Sequence, residues 1–503
     1  MMKRETAAMA GVAGAAPAPG PAALPRRVIA ALRLRRDAAV LRRSALFDAA
    51  WYLATYPDVA LAGLDPARHY LRAGAAENRD PGPQFCGRDY LERNPDVAGA
   101  ALNPLLHYLR RGRREGRSPD TPLPAPAAPE LRPLHAFRSP RAGAPRVTLL
   151  TDSIGADSLF GGVATALLFA TLLAQRQGAT LRVITETRAA DAAAAARLLR
   201  THGVAPPADI TCVFAARDGA ARRSFDVGDG ELFVSTAWWN TANLLHAVGP
   251  RRIIHLLQED ERMFYPHGDL HLLCAEVLAT PGLRFVVNTR LLHTHFTAAG
   301  FDSIARHGAW FEPAFPHACY RWEDRAVGAR QNFLFYARPN HPRNLYERGL
   351  AVVQAAIARR ILDPDRWSIN FVGRDLTEMS LPRGVRPRLH QGLDWAAYAA
   401  LVRRCDLGLS LMYTPHPGYP VLDLAASGAV AVTNRYGCKQ SLAEYSANIL
   451  CVDSTEEALL EGLAQGVQRA ADLAARQHNA GVGDLARDWT AAFRPAFDRL
   501  LEH

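Results

Sequence analysis

RVTLLTDSI (residues 146–154), FGGVATALLFATLLAQRQG (160–178) and TLRVITET (180–187) follow one another as an apolar strand, a glycine-opened helix and a second apolar strand. ELFVST (231–236), RRIIHLLQ (251–258) and LRFVVNT (283–289) continue the strands, with helical patterns between them. Such alternation predicts a parallel, doubly wound sheet. The polar stretch YRWEDRAVGARQ (320–331) breaks the pattern, and a second alternation begins. Its strands are NFLFYAR (332–338), WSINFVG (367–373), RPRLHQGL (386–393), LGLSLMY (407–413) and AVAVTNR (429–435). Its helices are NLYERGLAVVQAAIARR (344–360), DWAAYAALVRRC (394–405) and PVLDLAASG (420–428), so the α/β part consists of two doubly wound domains.

Outward from this core, 503 residues exceed what one hydrophobic core organises, and 49% hydrophobic with 21% charged residues is a globular composition. Nine basic residues against Glu5 and Asp37 in the first 43 positions supply most of the net +10. This leader reads either as a disordered, solvated segment or as a basic amphipathic helix on an anionic membrane surface. It lacks interleaved aromatics, which argues against nucleic acid as a partner. The chain has no apolar run long enough for a transmembrane helix and no clear secretory h-region, so a cytoplasmic location is expected, with peripheral membrane contact through the leader as the variant. Seven cysteines without CxxC or paired spacing argue for free thiols rather than a disulfide framework or a zinc site.

The segment from Phe47 to Pro81 recurs from Phe85 to Pro119 at a constant offset of 38 residues. Phe47/Phe85, Tyr52/Tyr90, Pro57/Pro95, Asp58/Asp96, His69/His107, Tyr70/Tyr108, Gly74/Gly112 and Arg79/Arg117 coincide. A period of this length predicts a small helical array, with repeated packing as the first explanation of its His and Tyr and a ligand site as the second. The Gly after HYL is expected to cap a helix C-terminus. The expected divisions are a disordered basic leader 1–43, a repeat module 44–120, a Pro/Ala-rich linker 121–145 without ladder or helix, α/β domains 146–325 and 326–480, and a C-terminal helix 481–503 crossing back to the first of them.

In open α/β sheets ligands bind beyond the C-terminal strand ends, and anions favour glycine-opened helix N-termini. Gly161 and Gly162 form such a turn, which tight packing also explains. In FYARPNHPRN (335–344), Arg338 ends a strand and Arg343 stands at the next helix entry, a pair suited to a diphosphate. In TPHPGYPVLDLAASG (414–428), Pro417 and Gly418 impose an irregular loop that presents His416, and Asp423 on the following helix either accepts ribose hydroxyls or merely charges a first turn. No DxD motif is followed by further carboxylates; Asp363-Pro-Asp365 reads as a turn, so no metal is expected.

With FGGVATAL (160–167), VSTAWWNTANL (234–244), HLLQEDERMFYPHGD (255–269), FVGRD (371–375), HQGLDWAAYAALVRRC (390–405) and VTNRYGCKQSL (432–442), these stretches make residues 147–453 resemble the retaining family 4 glycosyltransferases, specifically the rhamnosyltransferases typified by WsaF. The resemblance implies a GT-B fold, two facing Rossmann-like domains, here preceded by a small all-α repeat module. It implies transfer of a sugar, rhamnose from dTDP-rhamnose, from a nucleotide diphosphate donor to a glycan or lipid-linked acceptor, with no cofactor. It places Arg338 and Arg343 on the donor diphosphate, Gly373, Arg374 and Gly392 beside the base, and the Gln258–Glu261 segment at the acceptor side, with Asp260 and Glu261 as the catalytic candidates there. The broader family carries Glu-x7-Glu. Here the second acid is Asp423 and the first position is Pro415, leaving His416 and the loop N–H groups of Gly418 and Tyr419 to meet the sugar. A GDP or UDP donor, and a non-catalytic glycan- or nucleotide-binding scaffold, are the rival readings.

Overall fold

The computed structural model describes residues 26–117, 119, 131–138, 145–155, 161–216, 223–324 and 330–501. They belong to two compact units, Met1–Thr121 and Pro122–His503. Among the described residues no helix is long and apolar enough to cross a membrane.

In the first unit Arg26–Arg42 is an α-helix, which corrects the disordered leader over those residues; residues 1–25 lie outside the described ones. Its Ala38 and Leu41 are fully buried, and Asp37 and Arg42 pair with Arg110 and Asp65 of the repeats, so its C-terminal half is packed against them. Each repeat folds as three short helices: Ala49–Thr55, Pro57–Leu61 and Pro66–His69, then Gly87–Arg93, Pro95–Gly99 and Pro104–His107. Proline opens the second and third of each set, where its missing N–H is harmless.

The third helix of each repeat runs into a π turn, Tyr70–Gly74 or Tyr108–Gly112. Neither Gly74 nor Gly112 has positive φ, so they are not the expected caps. Their function is space: a Cβ would stand 2.2 Å from the Tyr52 hydroxyl and 2.3 Å from that of Tyr90. Those hydroxyls bond His69 Nδ1 at 3.0 Å and His107 Nδ1 at 2.9 Å. Arg79 meets both oxygens of Asp58, and Arg117 both of Asp96, at 2.8–2.9 Å. The identities that mark the repeat are packing and pairing.

In the second unit strand β1 (Leu134–Arg138) falls inside the expected linker, which corrects that reading. Its five residues are free of proline although the surrounding stretch is not, and it pairs in parallel with a polar strand that the apolar pattern did not show, β5 (Arg223–Val227). Strands β2 (Arg146–Thr151), β3 (Thr180–Thr185), β4 (Ile210–Phe214), β6 (Leu232–Ser235), β7 (Ile253–Leu257), β8 (Arg284–Asn288) and β9 (Ala309–Phe311) form a parallel sheet in the order β4-β3-β2-β6-β7-β8-β9. Strands β10 (Gln331–Ala337), β11 (Trp367–Gly373), β12 (Arg388–Gln391), β13 (Leu407–Leu409), β14 (Val430–Asn434) and β15 (Ile449–Val452) form a second, ordered β12-β11-β10-β13-β14-β15.

The last helix, Trp489–Leu501, returns to the first sheet's core, where Phe493 packs 5.2 Å from Phe169 and 4.7 Å from Phe311 between ring centroids. Burying a phenylalanine of this kind is worth about 1.5–3 kcal/mol, enough to hold the crossover in place.

Candidate active site

Loops at the C-terminal ends of both sheets enclose a cleft of about 710 Å³. It is lined by Gly161, Gly162, Arg338, Arg343, Gly373, Arg374, Gly392, His416, Tyr419 and Asp423 among the residues expected there. Gly161, at φ 48°, opens the helix Gly162–Arg176, and the Gly162 carbonyl accepts from Gln258 Nε2 at 2.7 Å. Across the cleft Arg338 follows β10, with Nη1 3.2 Å from the Tyr336 hydroxyl. Gly373 is required by the backbone, since a Cβ there would lie 1.7 Å from the Ala337 carbonyl oxygen in the paired strand.

Arg343 sits in a short 3-10 turn, Pro342–Asn344, which ends in Leu345 at φ 46°. The guanidinium lies 4.3 Å from the Phe264 ring centroid and 3.4 Å from Glu259 Oε2. Burial lowers its proton affinity. The neighbouring His341 also lines the cleft, and burial, with Arg343 and Arg338 beside it, pushes its imidazole down to about 4.

The 414–418 loop holds His416 almost fully buried. Its Nδ1 accepts the Gly418 N–H at 2.9 Å, which places the ring proton on Nε2. Burial, aided by Lys439 and Arg343, pushes His416 down to about 3, so it is a neutral donor. This bond uses the Gly418 amide, so Gly418 does not offer its N–H to a sugar, and neither Pro417 nor Gly418 is among the cleft-lining residues. Lys439, to which the sequence reading gave no role, anchors the loop: its buried Nζ donates to the Met412 carbonyl at 2.7 Å and the His416 carbonyl at 3.2 Å.

Tyr419 meets the other domain through its hydroxyl rather than acting through its amide alone. That oxygen is 2.6 Å from Thr165 Oγ1 and accepts from Asn288 Nδ2 at 2.9 Å. Asp423 is buried at the cleft wall, with Tyr398 donating to Oδ2 at 2.9 Å, and burial pushes its carboxyl up to about 7 against the hydroxyls of Tyr398 and Tyr320.

The acidic segment after β7 divides otherwise than expected. Burial alone would raise the Asp260 carboxyl, but His295 at 2.9 Å and Arg262 at 2.6 Å hold it at about 2. Glu261 Oε2 accepts the Trp238 N–H at 2.5 Å, and Oε1 lies 3.6 Å from His255 Nε2. Neither lines the cleft; Gln258 and Glu259 do. Four consecutive polar residues carry no periodicity from which to read which of them face the cleft.

Gln258 Oε1, His341 Nδ1 and His416 Nε2 line the cleft buried and without a hydrogen-bond partner among the described residues, while Glu259 Oε2 and Arg343 Nη1 meet as an ion pair at 3.4 Å and Asp423 faces Tyr320 as well as Tyr398. Each such atom costs about 1–3 kcal/mol, and proteins bond nearly all the rest, so the cluster fits a polar ligand offering both anionic oxygens and hydroxyls. Among the described residues no group of three or more His, Cys, Asp or Glu side chains is arranged to hold a metal; Asp363 and Asp365 form a turn bonded at 3.3 Å.

Two parallel sheets facing one cleft, closed by a returning C-terminal helix, define a GT-B fold of the glycosyltransferase class. Residues 146–281 match the family model "WsaF, N-terminal domain" and residues 331–464 match "WsaF, C-terminal domain". Together these stretches take in more than half of the chain, which carries both domains of the WsaF family. The chain is 28% identical over 284 residues to the O-antigen biosynthesis protein RfbC of Myxococcus xanthus. That match takes in 54% of this chain and about a fifth (21%) of the relative's length. Among solved structures, Anabaena HepE in complex with UDP and glucose aligns with a TM-score of 0.51 at 13% identity, over 71% of this chain and 100% of that one.

Proposed function

We propose that the protein is a retaining family 4 glycosyltransferase that moves rhamnose from dTDP-rhamnose onto a bacterial polysaccharide or lipid-linked glycan. The observation that carries this reading is the cluster of buried polar groups lining the cleft, in which the guanidinium of Arg343 and the neutral Nε2–H of His416 can donate while the Asp423 carboxyl can accept from a ribose hydroxyl. As the glycosidic bond breaks, charge builds on the diphosphate, and Arg338, Arg343 and the amides of the Gly161/Gly162 turn stabilise it. The acceptor oxygen attacks from the face the leaving group vacates. Its C–O bond forms as the sugar–phosphate bond breaks, and its proton passes to the departing phosphate oxygen, so retention needs no covalent enzyme intermediate.

A UDP or GDP sugar is the second reading, because side chains near the base wall are bonded internally. The Gln391 amide holds both backbone groups of Leu376, at 2.9 and 3.0 Å, and His390 meets Asn370 at 3.0 Å, so they carry little code for the base. Melting of the purified chain with dTDP, UDP and GDP, followed by donor turnover in EDTA, tests the proposal. The expected result is a shift with one nucleotide and turnover that survives the chelator. Nucleotide binding without turnover would favour the scaffold reading, and strict dependence on magnesium or manganese would overturn the metal-free mechanism.

A further inference from the structure

Glu259 stands between Gln258 and the two acids Asp260 and Glu261. Asp260 and Glu261, which follow it, turn away from the cleft and are bonded within their own domain, whereas Glu259 lines the cleft, where its Oε2 meets Arg343 across the domains. The path of the chain explains the difference. After β7 ends at Leu257, the Gln258 amide ties the backbone to Gly162, and the 3-10 turn Glu261–Phe264 carries the following residues back into the first domain. Glu259 is left facing the other domain, with Arg343 Nη1 at 3.4 Å and with Thr414 and Lys439 also facing its carboxyl.

Burial raises the Glu259 carboxyl and the Arg343 guanidinium opposes that rise; paired with this cation, the carboxylate accepts hydrogen bonds and cannot donate them, and beside a diphosphate it is repelled. Its place in a site that binds a nucleotide diphosphate sugar is therefore against hydroxyl groups. Asp423, on the C-terminal domain, stands apart from it on the helix Tyr419–Ala426 and is the acceptor suited to the ribose. We infer that Glu259 accepts hydrogen bonds from hydroxyls of the transferred sugar, and that in the empty cleft the same carboxylate holds Arg343 until the donor diphosphate takes its place. This rests on the nucleotide-sugar reading above. It supplies, from the N-terminal domain, the acid that Pro415 cannot provide in the 414–418 loop.

Two opposite effects follow from removing that charge. The bare nucleotide diphosphate meets one anion fewer beside Arg343 and binds as well or better. The extra affinity conferred by the sugar falls by about 10- to 100-fold, the value of a hydrogen bond to a charged group. Melting titrations of the full chain with dTDP against dTDP-rhamnose, and UDP against UDP-glucose, read both quantities for wild type, Glu259→Ala and Glu259→Gln. The expected result is a sugar increment in the wild type that is lost in Glu259→Ala and partly kept in Glu259→Gln, whose amide oxygen still accepts. Glu259→Gln, nearly isosteric, carries the test if Glu259→Ala fails to fold. A full increment in both variants, an equal loss of bare and sugar-bearing nucleotide, or no increment in the wild type overturns the inference while leaving nucleotide binding intact. A wild type that responds to neither pair removes the donor reading itself, and this inference with it.

Discussion

Histidines, tyrosines, arginines and aspartates recur in the N-terminal repeats and also line the cleft, yet the two regions bond them in opposite ways. In the repeats they satisfy one another: Tyr52 with His69, Tyr90 with His107, Arg79 with Asp58, Arg117 with Asp96. In the cleft Arg343 meets Glu259 only at 3.4 Å, and His416 Nε2 and Gln258 Oε1 stay buried without a hydrogen bond. Residue type and recurrence therefore do not separate structure from function. A single unbonded atom does not separate them either, since the buried Tyr70 hydroxyl of the first repeat also has no hydrogen bond; the gathering of such atoms around one cavity does, because each is costly unless something else supplies a partner.

Substituting the cleft arginines should affect turnover most. Arg338→Ala and Arg343→Ala should each lower turnover by about 10²- to 10³-fold, the usual loss for one donor to a developing oxyanion, while leaving the melting temperature nearly unchanged. Steady-state kinetics with dTDP-rhamnose beside thermal melts would show it. A collapse of the Arg343→Ala melt would instead put that residue with Arg79, as a structural pair.

Gly112→Ala should do the reverse. A methyl group at 2.3 Å from the Tyr90 hydroxyl overpacks the repeat and should cost it about 1–3 kcal/mol, with the nucleotide response untouched. Hydrogen-exchange protection over residues 44–117 is the readout, and adding Tyr90→Phe should restore part of the loss. Unchanged protection would show that the glycine is not needed for space.

Asp423→Asn is smaller and depends on pH. The folded protein raises this carboxyl to about 7, so the native state holds its proton where the unfolded chain, near 4, has released it. Stability from this group is therefore present below about pH 4 and is lost as pH rises to about 7. The melting temperature of the wild type should fall relative to Asp423→Asn across that window, and parallel curves would contradict the burial argument. With donor, the variant should raise the Michaelis constant more than it lowers turnover, since ribose contacts do not change along the reaction.

The smallest effect should come from removing the repeats altogether. Deleting residues 1–120 should leave the nucleotide-driven melting shift as it is, because the two units have separate cores. Loss of that shift would make the repeats part of the site.

Much of this was legible in the chain. The long apolar strands β2, β3, β7, β10 and β11 announced two parallel sheets, whereas β4, β5, β9 and β15 are short, polar or at sheet edges, where pattern is weak. Arg338 and Arg343 were found from a rule about strand ends. Lys439 was not, because it acts on two carbonyls, 23 and 27 residues earlier in the chain, that only the folded loop brings to it.

Local order therefore determined what the sequence could state alone: the periodicity of strands and helices, the 38-residue repeat, and the arginines at a strand's end. The tertiary structure decided how the acids of Glu259-Asp260-Glu261 divide, which nitrogen of His416 keeps its proton, and that the Tyr419 hydroxyl joins the two domains. The physical reason is that side-chain direction on irregular backbone, and the partners that satisfy or leave unsatisfied each polar atom, come from segments far apart in sequence that meet only when the sheets face one another.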